Sequence, residues 1–253
     1  MSNSPLVSYT KLSPNHSGQR THAVDRITPH CVVGQCSVET LGNIFAPTSR
    51  QASCQYGIGV DGRVGMYVEE KNRSWCSSSN ANDQRAITIE CASDATHPYA
   101  FNDVVYAKLI ELCADICKRY GKTKLLWLGD KTKTLNYEPA SNEMVLTVHR
   151  WFANKSCPGD WMYARMGDLA SKVTAKLGGS TGGNDKPVDN QVLYRVQTGA
   201  FANKANADAM LQKVKAAGFD TYMVKVDNLY KIQVGAFSKN CLLYTSDAAD
   251  DKA

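Results

Sequence analysis

No stretch of this 253-residue chain approaches the roughly 18 unbroken apolar residues of a membrane-spanning helix, so membrane insertion is not expected. The opening residues, MSNSPLVSYTK, have neither a basic n-region nor an apolar h-region. A signal peptide is therefore not expected, and synthesis in the cytoplasm is. No run of Lys and Arg resembles a nucleic-acid patch. The formal net charge of +5 is mild and spread along the chain, which suits solubility and is compatible with an anionic polymer as partner. CxxC pairs are absent, and the nine cysteines are an odd number, which argues against a fully paired disulfide framework. Reduced, buried thiols are the expectation for most of them, including Cys113 and Cys117, which lie four apart on one face of a predicted helix.

What is present is a soluble, globular composition, 43% hydrophobic and 21% charged, long enough for one large domain or two ordinary ones. The composition changes at Leu177. The segment GGSTGGNDKPVDNQ that follows is rich in Gly, Ser, Asn and Asp and has no apolar periodicity. It reads as a flexible linker over 178–191 between a domain at 1–177 and a smaller one at 192–239.

In the first domain, YGIGVDGRVGMYVEE from Tyr56 carries Asp61-Gly62 between two β-rich runs, a hairpin signal. AITIEC over 86–91 reads as a strand. Asn102 or Asp103 caps a helix with apolar Val105, Leu109, Leu112 and Ile116, which Gly121 ends. KLLWL over 124–128 reads as another strand, and a last helix is expected from Asp160 or Trp161 to Leu177. Strands mixed with helices predict an α/β domain built on a mixed central sheet flanked by helices.

The second domain contains a repeat. LYRVQTGAF at 193–201 returns 36 residues later as LYKIQVGAF at 229–237, with six of nine positions identical. Between them, NKANADAMLQKVKAA reads as a helix and DTYMVKV as a strand, predicting a small α+β unit that opens a second copy. That copy does not continue: 240–253 (NCLLYTSDAADDKA) lacks the matching periodicity and reads as a non-native tail.

The chemistry concentrates in VHRWFANKSCPGDW. His149 and Cys157 are zinc-ligand types, eight residues apart, so a loop must fold back to bring them together. Cys-Pro-Gly fixes a thiol on a tight bend. His30, at the end of a strand in ITPHCVVGQCS, is the best third ligand, and three protein ligands leave a fourth position open, as in catalytic zinc sites. From residue types alone, unrelated histidines and a cysteine remain an open alternative.

PHCVVGQC, SCQYGIGVDGRV, AITIE and HRWFANKSCPG together resemble the type 2 zinc-dependent N-acetylmuramoyl-L-alanine amidases, a family that shares its fold with peptidoglycan-recognition proteins and phage endolysins. The resemblance covers about Pro5 to Leu177. It implies hydrolysis of the amide between the lactyl group of N-acetylmuramic acid and L-alanine of the stem peptide, as by an endolysin or autolysin. It implies zinc on His30, His149 and Cys157, with Glu90 and Lys155 as catalytic residues. Tyr56 and Trp75 fall near positions where relatives contact substrate, and Trp75-Cys76 departs from the Trp-His of many relatives. YRVQTGAF…YKIQVGAF resembles the sporulation-related repeat (SPOR) domain, which binds glycan stripped of peptides; the incomplete second copy leaves that binding in question. Peptidoglycan is thus the expected partner, acted on after release during lysis, with a monomer and no nucleic acid expected. Two other readings stay open: a metal-free cysteine hydrolase using Cys157 and His149, and a non-catalytic peptidoglycan-binding protein.

Overall fold

The computed structural model describes residues 3–178, 194–219, 221–226 and 228–237. These form two compact units, within Met1–Gly183 and Asn184–Ala253. The linker expected at 178–191, apart from Gly178, and the tail expected at 240–253 lie outside the described residues.

The first unit runs β1 (Val7–Thr10), β2 (His16–Gln19), β3 (Arg26–Cys31), α1 (Val38–Phe45), β4 (Tyr56–Ile58), β5 (Val64–Met66), β6 (Asn72–Ser74), α2 (Asn80–Arg85), β7 (Ala86–Cys91), α3 (Asp103–Arg119), β8 (Lys124–Leu126), α4 (Lys131–Leu135), β9 (Glu143–Leu146), α5 (Asp160–Tyr163) and α6 (Met166–Lys176). Seven strands form one mixed sheet in the order β1-β5-β4-β7-β3-β9-β8. Only the β4–β5 hairpin in it is antiparallel, closed at Asp61-Gly62 with Gly62 at φ 79°. This is the α/β architecture that the mixture of strand and helix signals implied.

The two faces of the sheet differ in chemistry, and the period of two in β3 and β7 sets the difference. Ile27, Ile87 and Ile89 enter the main core with Val105, Leu109, Leu112 and Ile116 of α3 and Leu169 and Val173 of α6. The alternate residues Thr28, His30, Thr88 and Glu90 point to the other face, where Thr28 bonds Thr147 at 2.7 Å and Thr88 bonds Gln55 at 2.8 Å. A smaller apolar cluster of Leu41, Phe45, Cys54 and Tyr67 packs beside α1. β3 and β7 pair in parallel over their whole length, which sets His30 opposite Glu90.

α3 is capped by the Asn102 side chain, which accepts from Val105 N at 2.8 Å, and Gly121 follows it at φ 67°. Its Cys113 and Cys117 are buried free thiols. Two expectations need correction. The strand over KLLWL stops at Leu126, because Trp127 turns out to stack on Trp151 with ring centroids 5.0 Å apart. The last helix is two helices, α5 and α6. Arg165 interrupts it by folding back over the Trp161 ring, 4.1 Å from its centroid, and donating to Trp161 O at 3.0 Å.

The second unit contains β10 (Tyr194–Phe201), α7 (Lys204–Ala216), β11 (Thr221–Val226) and β12 (Leu229–Phe237) in an antiparallel sheet of order β10-β12-β11. The two sequence repeats are β10 and β12, and they pair with each other. Gln197 faces its own repeat equivalent Gln233, and Val196 faces Val234. The register shifts on either side of this central pairing.

Candidate metal and catalytic site

His30 lies one residue before the end of β3 and is 0% exposed. Its Nδ1 lies 3.2 Å from Cys157 Sγ, and its Nε2 is buried with no hydrogen-bond partner. Burial, with a smaller contribution from neighbouring His149, holds its pKa well below the usual imidazole range, so the ring is neutral. A neutral imidazole is the form that binds a metal.

His149 opens a short 3-10 turn, His149–Trp151, just after β9. Its ring meets that of His30 edge-on, with centroids 5.1 Å apart. Burial and then the nearby Lys155 cation lower its pKa as well. The loop that follows folds back as the eight-residue spacing requires. Arg150 N donates to Cys157 O at 3.1 Å, and the Arg150 guanidinium pairs with Asp160 at 2.9 Å. Gly159 sits at φ 86°, and a Cβ there would come within 2.7 Å of Pro98 O, so only glycine passes this point beside Cys157.

Glu90 follows Ile89 in β7, flanked in register by His30 on one side and Gly57 on the other. Its Oε2 is buried without a partner, and its Oε1 accepts a long contact of 3.9 Å from Cys76 Sγ. Burial pushes its carboxyl up to about 7, against the opposing pull of Arg50. Glu90, His149, Lys155, Trp75, Cys76, Arg50 and Arg73 line one cleft of about 660 Å³. The Trp75 indole is held there by a bond to Ser17 Oγ at 2.6 Å.

Of the residues singled out from the sequence, His30, His149 and Cys157 bring one ligand atom each to within 4.8 Å of one another. Glu90, Lys155 and Trp75 line the cleft that His149 borders. Tyr56 does not join them. It is 0% exposed, pairs in register with Ile89 rather than Glu90, and so points into the main core. Its hydroxyl donates to Glu70 at 2.6 Å and accepts from Ser4 N at 2.8 Å. The expectation of a substrate contact at Tyr56 is therefore wrong: the alternation along β4 turns it away from the cleft.

Sequence reading missed Ser78, whose hydroxyl lies 3.0 Å from His149 Nε2, and the cleft cations Arg50 and Arg73. Cys76 was visible only as a departure from a pattern; here it stands beside Glu90. A second group, His30, Cys76 and Glu90, also falls within 4.8 Å and shares His30 with the first. The run CSSSN held a signal for this loop: Ser79 caps α2, accepting from Asn82 N at 3.3 Å.

The donor set fits a tetrahedral zinc site. Ligands about 2.0–2.3 Å from such an ion lie roughly 3.3–3.8 Å apart. The 3.2 Å contact between His30 and Cys157 is close to that separation. Two neutral imidazoles and a thiol that loses its proton on binding are a borderline-soft set of the kind zinc takes.

The profile described as N-acetylmuramoyl-L-alanine amidase matches residues 19–160, and that of the SPOR domain matches residues 190–240. No curated protein matches the chain. Among solved structures, a selenomethionine AmpD derivative is similar at 19% identity and a TM-score of 0.46, over 64% of this chain and 93% of that one. The N-acetylmuramoyl-L-alanine amidase LysC from Clostridium intestinale is similar at 17% identity and 0.42, over 69% and 96%. The Staphylococcus aureus hydrolase AmiA, in complex with its ligand, is similar at 15% and 0.45, over 68% and 86%.

Proposed function

We propose that this chain, which belongs to the N-acetylmuramoyl-L-alanine amidase family, works with a zinc ion held by His30, His149 and Cys157, and with Glu90 and Lys155 as its catalytic side chains. It is a peptidoglycan amidase, cutting the amide between N-acetylmuramic acid and the stem peptide, and it carries a SPOR domain behind the amidase domain. No helix among its described residues is long and apolar enough to cross a membrane. We read it as a lytic enzyme of the endolysin or autolysin kind.

The observation that carries the zinc reading is the convergence of His30 Nδ1, Cys157 Sγ and His149 beside a carboxylate oxygen, Glu90 Oε2, that is buried and has no partner. When bound, zinc supplies Lewis acidity toward the scissile carbonyl and an activated water. Glu90 Oε2 is free to take the proton of the attacking water and to return it to the leaving amine of L-alanine. In the metal-free protein burial raises this carboxyl to about 7, and a nearby cation such as zinc would favour its ionised, proton-accepting form. Lys155 borders the cleft as a cation able to hold the charge that develops on the carbonyl oxygen. Arg50 and Arg73 add positive charge along the cleft, which suits a substrate carrying peptide carboxylates.

The 3.2 Å contact of Cys157 with His30 also has the form of a thiol–imidazole pair, so a metal-free cysteine hydrolase is the second reading. Burial argues against it. It drives the Cys157 thiol well above its ordinary pKa and the His30 imidazole well below, away from the thiolate–imidazolium pair that such a nucleophile needs. The test is digestion of purified peptidoglycan with and without chelator, read by mass spectrometry. Release of peptides with a free L-alanine amine, abolished by chelation and restored by zinc, is the expected result. Full activity in chelator would overturn the metal reading, and glycan or cross-link cuts would overturn the bond assignment.

A further inference from the structure

Ser78 sits at φ 60°, a left-handed conformation that glycine adopts freely and serine does not. Nothing in its own loop asks for a side chain there except one contact: its Oγ lies 3.0 Å from His149 Nε2. The conformation is held from both sides. Asp83 accepts from Cys76 N at 3.1 Å, Ser77 N at 3.1 Å and Ser77 Oγ at 2.6 Å, and Ser79 caps α2. The Asn82 amide then ties this loop to β3, which bears His30, and to the segment after β9 that leads into His149. Its Nδ2 donates to Ser77 Oγ at 3.2 Å and to Thr28 Oγ1 at 3.1 Å, and its Oδ1 accepts from Thr147 Oγ1 at 3.0 Å. Thr28 is two residues before His30 and Thr147 two before His149. Backbone strain that the surrounding structure over-determines in this way is characteristic of functional loops.

We propose that Ser78 is a positioning residue for the metal ligand His149. Its hydroxyl oxygen accepts the Nε2 proton, which fixes the tautomer whose Nδ1 lone pair is free for the metal and fixes the rotation of the ring. With Nε2 engaged, Nδ1 is the ring nitrogen left to bind, as His30 Nδ1 is the one beside Cys157. Outer-shell partners of this kind orient ligating histidines, and losing one typically lowers metal affinity by about 10–100-fold. Ser78 is exposed, so water can replace part of the bond, and the low end of that range applies. The inference rests on the zinc reading of His149.

Two variants separate a positioning role from a loop role. Ser78→Gly removes the hydroxyl and relieves the left-handed backbone; Ser78→Ala removes the hydroxyl and keeps the backbone strain. Zinc affinity of the full chain is read by competition with a chromogenic chelator, and the Nε2 proton of His149 by nitrogen-15 NMR of the zinc-loaded protein. The expected result is an affinity loss of about tenfold in both variants, with the Nε2–H resonance lost to fast exchange, while the metal-free Ser78→Gly protein melts at or above the wild-type temperature. Stoichiometric zinc binding by wild type with affinity unchanged within about twofold in Ser78→Gly would overturn the positioning role alone. A wild-type chain that binds no zinc would overturn it together with the zinc reading.

Discussion

Glu90→Gln is expected to make the metal-free protein more stable at high pH and the enzyme far slower. The substitution keeps shape and removes charge, so no cavity opens beside His30. In the wild type, burial moves the carboxyl from 4.5 up to about 7. The folded state therefore binds this proton more tightly than the unfolded chain does. Below the unfolded value near 4.5 the group is neutral in both states and costs nothing. As pH rises from there the unfolded chain ionises first, and stability falls until the folded carboxyl has also ionised, above about 7. The accumulated loss is roughly 3 kcal/mol, at about 1.4 kcal/mol for each factor of ten in proton affinity. Urea titrations of the metal-free proteins at about pH 4 and pH 8 read it directly: the variant is expected to gain on the wild type at pH 8 and to match it near pH 4. If Glu90 is the general base and zinc is bound, as proposed, its loss should lower turnover by about 10²–10⁴-fold while zinc content stays stoichiometric. A gain in stability with a loss of function marks a residue kept for chemistry. Turnover within tenfold of wild type, or a stability gap equal at both pH values, would refute the reasoning.

Cys157→Ser should abolish stoichiometric zinc binding, measured by elemental analysis after gel filtration, and with it amidase activity. Tyr56→Phe leaves Glu70 without the 2.6 Å donor and Ser4 N without its acceptor, so a stability loss of about 1–3 kcal/mol is expected by denaturant titration. Its activity per folded molecule should stay at the wild-type level; a loss of turnover would restore Tyr56 to the site. Gly159→Ala forces a Cβ to within 2.7 Å of Pro98 O in a left-handed backbone, and is expected to loosen the Cys157 loop. The readout is weaker zinc affinity in chelator competition with a melting temperature lowered by several degrees.

The parts of the fold that sequence made legible are those whose signal is local. The α3 helix has an Asn cap, a 3.6-residue apolar period and a terminating glycine, and all three are where they were expected. The β4–β5 turn needs only Asp61-Gly62. Where a boundary depends on a partner from elsewhere, the reading slipped. Trp127 leaves β8 to stack on Trp151, and Arg165 divides the last helix by covering Trp161; neither contact has a signature in the neighbouring residues. The site follows the same division. His149 and Cys157 share one loop and one motif, and His30 and Glu90 lie one residue before the ends of two strands whose apolar alternation is plain. Tyr56 failed because a resemblance in position says nothing about which face of a strand a side chain takes, and that is fixed by a register the sequence does not display. Ser78 was invisible because its role depends on a backbone angle and on a histidine far along the chain.

That asymmetry has a cause in the sheet itself. The central strands β3, β7 and β9 send Ile27, Ile87, Ile89 and Leu146 into the core, while Thr28, Thr88 and, just past the end of β9, Thr147 are buried in a hydrogen-bonded polar layer, where isosteric valines would bury as well without needing partners. The threonines are fully satisfied instead: Thr28 and Thr147 by each other and by Asn82, Thr88 by Gln55 and Ser74. A network of this kind fixes one arrangement where apolar packing tolerates several. Here the arrangement it fixes is the spacing of β3 from β9, and so of His30 from His149, together with the loop that carries Ser78. The polar layer beneath the cleft is thus the part of the core that fixes His30 relative to His149, and the apolar layer behind it is the part that keeps the sheet folded while it does so.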